Sequence, residues 1–280
     1  MGVDACDYAA LATKGVQNLH PYLPGKPVEE LERELGLTDI VKLASNENPL
    51  GMSSMACEAV QDVMADGARY PDGNGFILKR ALSDRFLAAQ QQINLDQITL
   101  GNGSNDVLDI IARVYAQSDS EVIYSEYAFA VYAIACQSVS ATAVVVPSKQ
   151  WGHDLDGMLA AITEKTSLIF IANPNNPTGT ALSSDQIKIF LSKVPRRVLV
   201  VLDEAYCEYI DDADFPDGVS LLESNPNLIV TRTFSKAWGL ASMRVGYAVS
   251  SSIIADMLNR VRQPFNVNSF ALAAAAAVLK

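Results

Sequence analysis

An α/β fold built on a mainly parallel sheet is the architecture this sequence predicts, and two observations predict it. Seven short apolar runs recur along the chain from Ile98 onward, each continuous rather than alternating with polar residues, and helical stretches separate several of them. Continuous apolar strands are buried on both faces, and strands interleaved with helices pair in parallel between two helical layers. A third observation bears on function. Polar motifs stand just past the ends of these runs, where open parallel sheets bind ligands.

The first part of the chain is less regular. Residues 1–45 read as an arm, in which His20-Pro21-Tyr22-Leu23-Pro24-Gly25-Lys26-Pro27 is too rich in proline for a helix or a central strand. Val28 to Gly36 reads as a short amphipathic helix stopped by glycine. Ile40 to Leu43 reads as a short strand running into the polar turn Ser45-Asn46-Glu47-Asn48-Pro49-Leu50-Gly51. Residues 53–66 are expected to be helical, Arg69-Tyr70-Pro71-Asp72 to break the pattern, and Phe76 to Gln91 to form a long helix.

The strand-like runs are Ile98–Leu100, Glu121–Tyr124, Ala143–Val146, Ser167–Ile171, Val198–Leu202, Leu228–Val230 and Val245–Val249, which makes a seven-stranded sheet. Helices are expected at 104–117, 128–138, 155–163, 184–193 and 218–224, with an alanine-rich helix at 271–280.

Composition excludes several functions. The net charge of −11 argues against nucleic acid, whose binding rests on Lys and Arg neutralising phosphates. No apolar run approaches the ~20 residues of a membrane span. The start, Met1 to Asp7, is acidic and lacks the basic region of a signal peptide. Cys6, Cys57, Cys136 and Cys207 form no CxxC pair, and they read as free thiols in a reducing cytoplasm. His20 and His153 suggest no metal site.

The chemistry gathers around Lys236. Thr233 and Ser235 precede it and Arg244 follows. A lysine past a strand also reads as a solvated charge. Two hydroxyls, an amine and a guanidinium, however, suit a phosphate with an aldehyde beside it, which is what pyridoxal phosphate carries. Gly101-Asn102-Gly103-Ser104-Asn105-Asp106 follows a strand and opens a helix, as an anion site or a plain cap. Phe129 and Tyr132 read as core aromatics or as a platform for a flat ring. Asn173-Pro174-Asn175-Asn176-Pro177-Thr178-Gly179 is a rigid loop that places the Asn176 amide. Asp203 ends a buried run, where a carboxylate needs a partner: a pyridinium N–H, or the first amides of a helix. Tyr206 lies three residues on, within reach of a phenolic oxygen. Asn176, Asp203 and Lys236 end three different strands and would converge on one crevice.

These words, NPNNPTG, VVLDEAY and TFSKAWGLASMRVGYA, resemble the fold-type I, class I/II pyridoxal-phosphate aminotransferases. HPYLPGKPVEELERELG, KLASNENPLG, RYPDGNGFILK and LGNGSNDVLDII are similar to the histidinol-phosphate aminotransferase family within them. The resemblance implies pyridoxal 5′-phosphate as cofactor, with Lys236 as the Schiff-base lysine and Asp203 as partner of the ring nitrogen. It implies Asn176 and Tyr206 on the phenolic oxygen, and Ser104, Asn105, Thr233, Ser235 and Arg244 around the phosphate. Phe129, or in its place Tyr127, would stack on the ring. Tyr22 and Asn46 would lie near the substrate, and Tyr70 would reach the cofactor phosphate of a second copy, so a homodimer is implied.

The domain division implied is an arm with a small-domain segment at 1–45, a large cofactor domain at 46–265, and the start of a helix leading to a C-terminal small domain at 266–280. Family members continue into that small domain, which carries the arginine that grips the substrate carboxylate; here it is expected to be largely missing. The function implied is transamination between L-histidinol phosphate and 2-oxoglutarate in histidine biosynthesis. Three other readings stand beside it: an aromatic amino-acid aminotransferase, a decarboxylase of a phosphorylated amino acid, and a cofactor-binding remnant without full activity.

Overall fold

Seven strands form where the apolar runs lie: β1 (Ile98–Gly101), β2 (Glu121–Ser125), β3 (Thr142–Val146), β4 (Thr166–Ala172), β5 (Leu199–Asp203), β6 (Leu228–Thr233) and β7 (Gly246–Val249). The computed structural model describes residues 6–22 and 25–280, and its strands make one sheet in the order β1-β7-β6-β5-β4-β2-β3. The β2–β3, β2–β4, β4–β5 and β5–β6 pairs are parallel, whereas β7 is antiparallel to both β1 and β6.

The helices are α1 (Lys14–Gln17), α2 (Val28–Leu35), α3 (Ser54–Met64), α4 (Phe76–Ala88), α5 (Ser104–Tyr115), α6 (Ala130–Ser138), α7 (Leu155–Ala160), α8 (Ser184–Lys193), α9 (Ser252–Val261) and α10 (Ser269–Val278). Local chemistry sets several boundaries. Ser183 and Gln186 form a capping box at the start of α8, and Gly36 ends α2 at φ 66°.

Why the apolar runs are continuous is visible in β4. Leu168 and Phe170 face one layer, packed with Val107 and Ile111 of α5, Tyr132 of α6 and Leu258 of α9. Ile169 and Ile171 face the other, with Phe190 of α8 and the alanines of α10. Both faces are buried, so neither set of alternate residues is polar. Each such side chain stabilises the fold by ~1.5–3 kcal/mol relative to exposure.

Four expectations are corrected. Ile40 to Leu43 form no strand; Val41 and Leu43 are exposed, and no strand of the sheet lies alongside them to pair. The helix expected at 218–224 is a single 3-10 turn, Gly218–Leu221, because the Gly218 amide donates to the buried Glu204 carboxylate at 2.8 Å and Asp217 caps Val219. Helix α6 begins at Ala130 rather than Ala128, since Phe129 has extended ψ of 126°. Helix α9 was not expected, although Ser251 caps it and Ile254, Leu258 and Val261 recur at helical spacing. The proline-rich stretch at 20–27 is neither helix nor strand where described; Leu23 and Pro24, like the acidic start at 1–5, lie outside the described residues. No described helix is long and apolar enough to cross a membrane.

Candidate active site

Strand direction brings the motifs together. β1, β4, β5 and β6 all run the same way, so Ser104, Asn176, Asp203 and Ser235 leave the sheet at one edge. The reversed strand β7 begins at that edge, where Gly246 pairs with both Gly101 and Thr233. Arg244, two residues before it, is thereby delivered between the start of α5 and the end of β6.

A cavity of about 410 Å³ opens at this edge. Lys236, Asp203, Tyr206 and Asn176 line it, with Phe129 on its wall and Tyr22 and Asn46 at its arm side. Ser104, Asn105, Thr233, Ser235 and Arg244 line its other end. A second groove, of about 440 Å³, lies between Lys149, His153 and α8, away from Lys236. Its lysines, Lys149 and Lys193, stand with Asp154, Asp156 and Thr180 but with no arginine and no tyrosine, so the combination of amine, guanidinium, phenol and buried carboxylate belongs to the first.

The anion end is built from backbone and side chain together. The first amides of α5 have no partner within the helix and carry the positive end of its dipole. Arg244 Nη1 donates to the Ala241 carbonyl at 3.0 Å and lies 3.4 Å from Ser235 Oγ, which in turn accepts from Thr233 Oγ1 at 3.0 Å. Gly103 sits at φ 85°, where a side chain is strained, and a Cβ there would also push the Arg244 guanidinium aside.

At the floor, Asp203 is 4% exposed. Its Oδ2 accepts from the Tyr132 hydroxyl at 2.8 Å and its Oδ1 from Thr231 Oγ1 at 2.9 Å. Burial raises its pKa and these two bonds oppose the rise.

Lys236 is half-buried. Its Nζ donates to the Ser45 carbonyl at 3.0 Å and stands 5.6 Å from the centre of the Tyr206 ring. Burial lowers its pKa, Arg244 adds to the fall and Glu47 opposes it, so more of it is free amine at neutral pH than for an exposed lysine. Residues 45 and 46 hold their place in left-handed conformations, φ 71° and 51°. The turn that follows is pinned: Asn48 donates to the Ala237 carbonyl at 2.9 Å, and Gly239 at φ 69° has no Cβ to strike the Gly51 carbonyl, which would be 2.3 Å away.

The family model of class I and II aminotransferases matches residues 38–280. The chain belongs to the class I and II aminotransferases. A histidinol-phosphate aminotransferase 2 of Pseudomonas fluorescens is 58% identical over 276 residues, which cover 98% of this chain and 73% of that protein. The one from Pseudomonas aeruginosa is also 58% identical, over 275 residues, with the same coverage. The crystal structure of histidinol-phosphate aminotransferase from Sinorhizobium meliloti in complex with pyridoxal-5′-phosphate superposes with a TM-score of 0.86 at 30% identity, covering 99% of this chain and 72% of that one.

Enzymes of this aminotransferase family use pyridoxal phosphate, and the donor set fits it. An amine stands between a hydroxyl–guanidinium anion cup and a buried carboxylate whose two hydrogen-bond donors are both neutral hydroxyls, so that a protonated ring nitrogen would be its cationic partner. Of the aminotransferase residues anticipated from sequence, two do not line the cavity: Tyr127, the alternative to Phe129, and Tyr70. Tyr70 is 83% exposed and stacks on Phe265, ring centres 4.8 Å apart. Tyr127 lies against Trp151 at 5.1 Å, which leaves Phe129 as the aromatic on the wall. Two contacts escaped the sequence reading: the Ser45 carbonyl on Lys236, a backbone group with no sequence signal, and the Tyr132 hydroxyl on Asp203. Tyr132 reads as a core aromatic, which it also is.

Proposed function

We propose that this aminotransferase moves the amino group of L-histidinol phosphate to 2-oxoglutarate, giving the phosphorylated ketone and glutamate, as a step of histidine biosynthesis. The observation that carries the substrate is the 58% identity to the Pseudomonas relative of that name across 98% of the chain. Pyridoxal phosphate, when bound, supplies an aldehyde carbon for the amino group and a ring that takes the electron pair left when the substrate Cα–H bond breaks. Thr233, Ser235, Arg244 and the first amides of α5 hold its phosphate, and Asn176 and Tyr206 hold its phenolic oxygen. Phe129 covers the ring face and excludes water. Asp203 keeps the ring nitrogen protonated, which makes the ring a better electron acceptor. Lys236 would hold the cofactor through its Nζ, and the same Nζ would act as the base and acid that carries the proton away from the substrate Cα. Its depressed pKa suits both tasks. Tyr22 and Asn46 meet the substrate at the mouth of the cavity.

We further propose a homodimer in which the exposed Tyr70 reaches the phosphate of the second copy's cofactor, and a cytoplasmic setting in keeping with the free thiols. The test of the substrate is direct. Purified chain with pyridoxal phosphate is given 2-oxoglutarate and either L-histidinol phosphate or L-phenylalanine, and glutamate is measured. Glutamate from histidinol phosphate at the higher kcat/KM is expected; preference for phenylalanine, or release of carbon dioxide in place of glutamate, would overturn the assignment.

A further inference from the structure

Tyr132 stands in the layer beneath the cavity, and its surroundings leave its ring little freedom. It is fully buried, lies parallel to Phe170 at 4.8 Å with an interplanar angle of 4°, and meets Phe129 edge to face at 5.9 Å. Phe129 lines the cavity, so Tyr132 touches both its wall and, through its hydroxyl, its floor. A buried phenol must place its hydroxyl on a partner, and here the partner is Asp203 Oδ2 at 2.8 Å. The other oxygen, Oδ1, takes the Thr231 hydroxyl at 2.9 Å. Both donors come from the protein layer, one from α6 and one from β6, and each carboxylate oxygen keeps acceptor capacity.

We propose that Tyr132 is the positioning residue for Asp203: a hydroxyl fixed by aromatic stacking, acting with Thr231, holds the carboxylate in the orientation that meets the cofactor's ring nitrogen. The inference rests on the pyridoxal-phosphate reading and adds to it a residue that touches neither cofactor nor substrate. A carboxylate with one donor removed is free to turn about its Cβ–Cγ bond, and its oxygen loses a bond that compensates burial. The loss should therefore fall on the ring nitrogen alone. The phosphate cup and the Lys236 amine stay as they are.

The experiment compares two ligands on the same protein. Dissociation constants are measured by fluorescence for pyridoxal phosphate and for its analogue in which the ring nitrogen is replaced by C–H. In Tyr132→Phe, which keeps the ring and its stack, pyridoxal phosphate should bind about tenfold more weakly, while the analogue should change less than about twofold. Thr231→Val should show the same selectivity. Equal weakening of both ligands would mean a merely structural role, and no weakening would mean no role; either overturns the proposal. Wild-type protein that takes neither ligand would overturn the cofactor reading, and this inference with it. Should Tyr132→Phe fail to fold, a fluorinated tyrosine at 132 strengthens the donor. Tighter binding of pyridoxal phosphate alone is then expected, and an equal change in both ligands contradicts the proposal.

Discussion

The side-chain amide of Asn46 donates to the hydroxyl of Tyr206 at 3.0 Å, joining the turn that follows the arm to the segment that follows β5. Burial raises the Tyr206 pKa and this bond opposes the rise. Asn46 thus acts on a group expected to hold the cofactor's phenolic oxygen. Asn46→Gly tolerates the left-handed backbone at 46 and removes only the amide. It should weaken cofactor binding by about 2- to 10-fold, the worth of one ordinary hydrogen bond. Equilibrium dialysis with pyridoxal phosphate measures it.

Asp203→Asn keeps the size of the side chain and one acceptor oxygen for the Tyr132 and Thr231 hydroxyls, while removing the charge and turning the other acceptor into a donor. Turnover should fall by at least about 100-fold, since each ~1.4 kcal/mol of lost transition-state stabilisation is tenfold in rate. Single-turnover kinetics with the amino donor should place the loss in the proton-transfer step.

Much of this was legible in the sequence because the signals are local. Continuous apolar runs required strands buried on both faces; all seven strands formed and six are buried, whereas β3, at the edge of the sheet, is mostly exposed. Their polar ends at Asn176, Asp203 and Lys236 converge as expected, because the motifs follow strands of one direction. What was not legible depends on partners distant in sequence. Ile40–Leu43 has strand-like composition but no strand beside it. Gly218 is drawn from a helix into a tight turn by Glu204. Tyr132 looks like any core aromatic until Asp203 is found 2.8 Å from its hydroxyl. The reversal of β7, which delivers Arg244, follows from pairing and not from any feature of its apolar run.

Lys79 gives a pH signature independent of catalysis. It is 4% exposed, donates to Asn74 Oδ1 at 3.1 Å, and burial, with Arg262 nearby, brings its pKa to about 8 against the pull of Asp72 and Asp96. The folded chain releases this proton at lower pH than the unfolded chain does. Between about pH 8 and the ordinary lysine value of 10.5, the unfolded state therefore binds more protons, and this group's contribution to stability rises with pH. The stability of Lys79→Met relative to wild type should accordingly fall as pH goes from about 7 to about 9.5 in urea titrations. A difference that stays constant with pH would contradict the assignment.

Tyr70 carries the prediction about assembly. Its hydroxyl is not in its own chain's cavity, and its ring is held by Phe265. Subunit exchange between Tyr70→Phe and Lys236→Ala proteins should give hybrid dimers in which half the sites retain cofactor like wild type, because both defects fall in the other half. If Tyr70 acts within its own chain, every hybrid site carries one defect. In the Tyr70→Phe homodimer, cofactor binding should weaken by about 1.5–3 kcal/mol, the worth of a hydrogen bond to a charged group.

The central claim is that Lys236 is the amine that takes the cofactor. The chain is incubated with pyridoxal phosphate, reduced with borohydride, digested and mapped by mass spectrometry. One cofactor mass should appear, on the peptide that contains Lys236, and Lys236→Ala should show none at any position. A cofactor mass fixed to another lysine in the wild-type chain, or an unchanged yield in Lys236→Ala, would contradict the account.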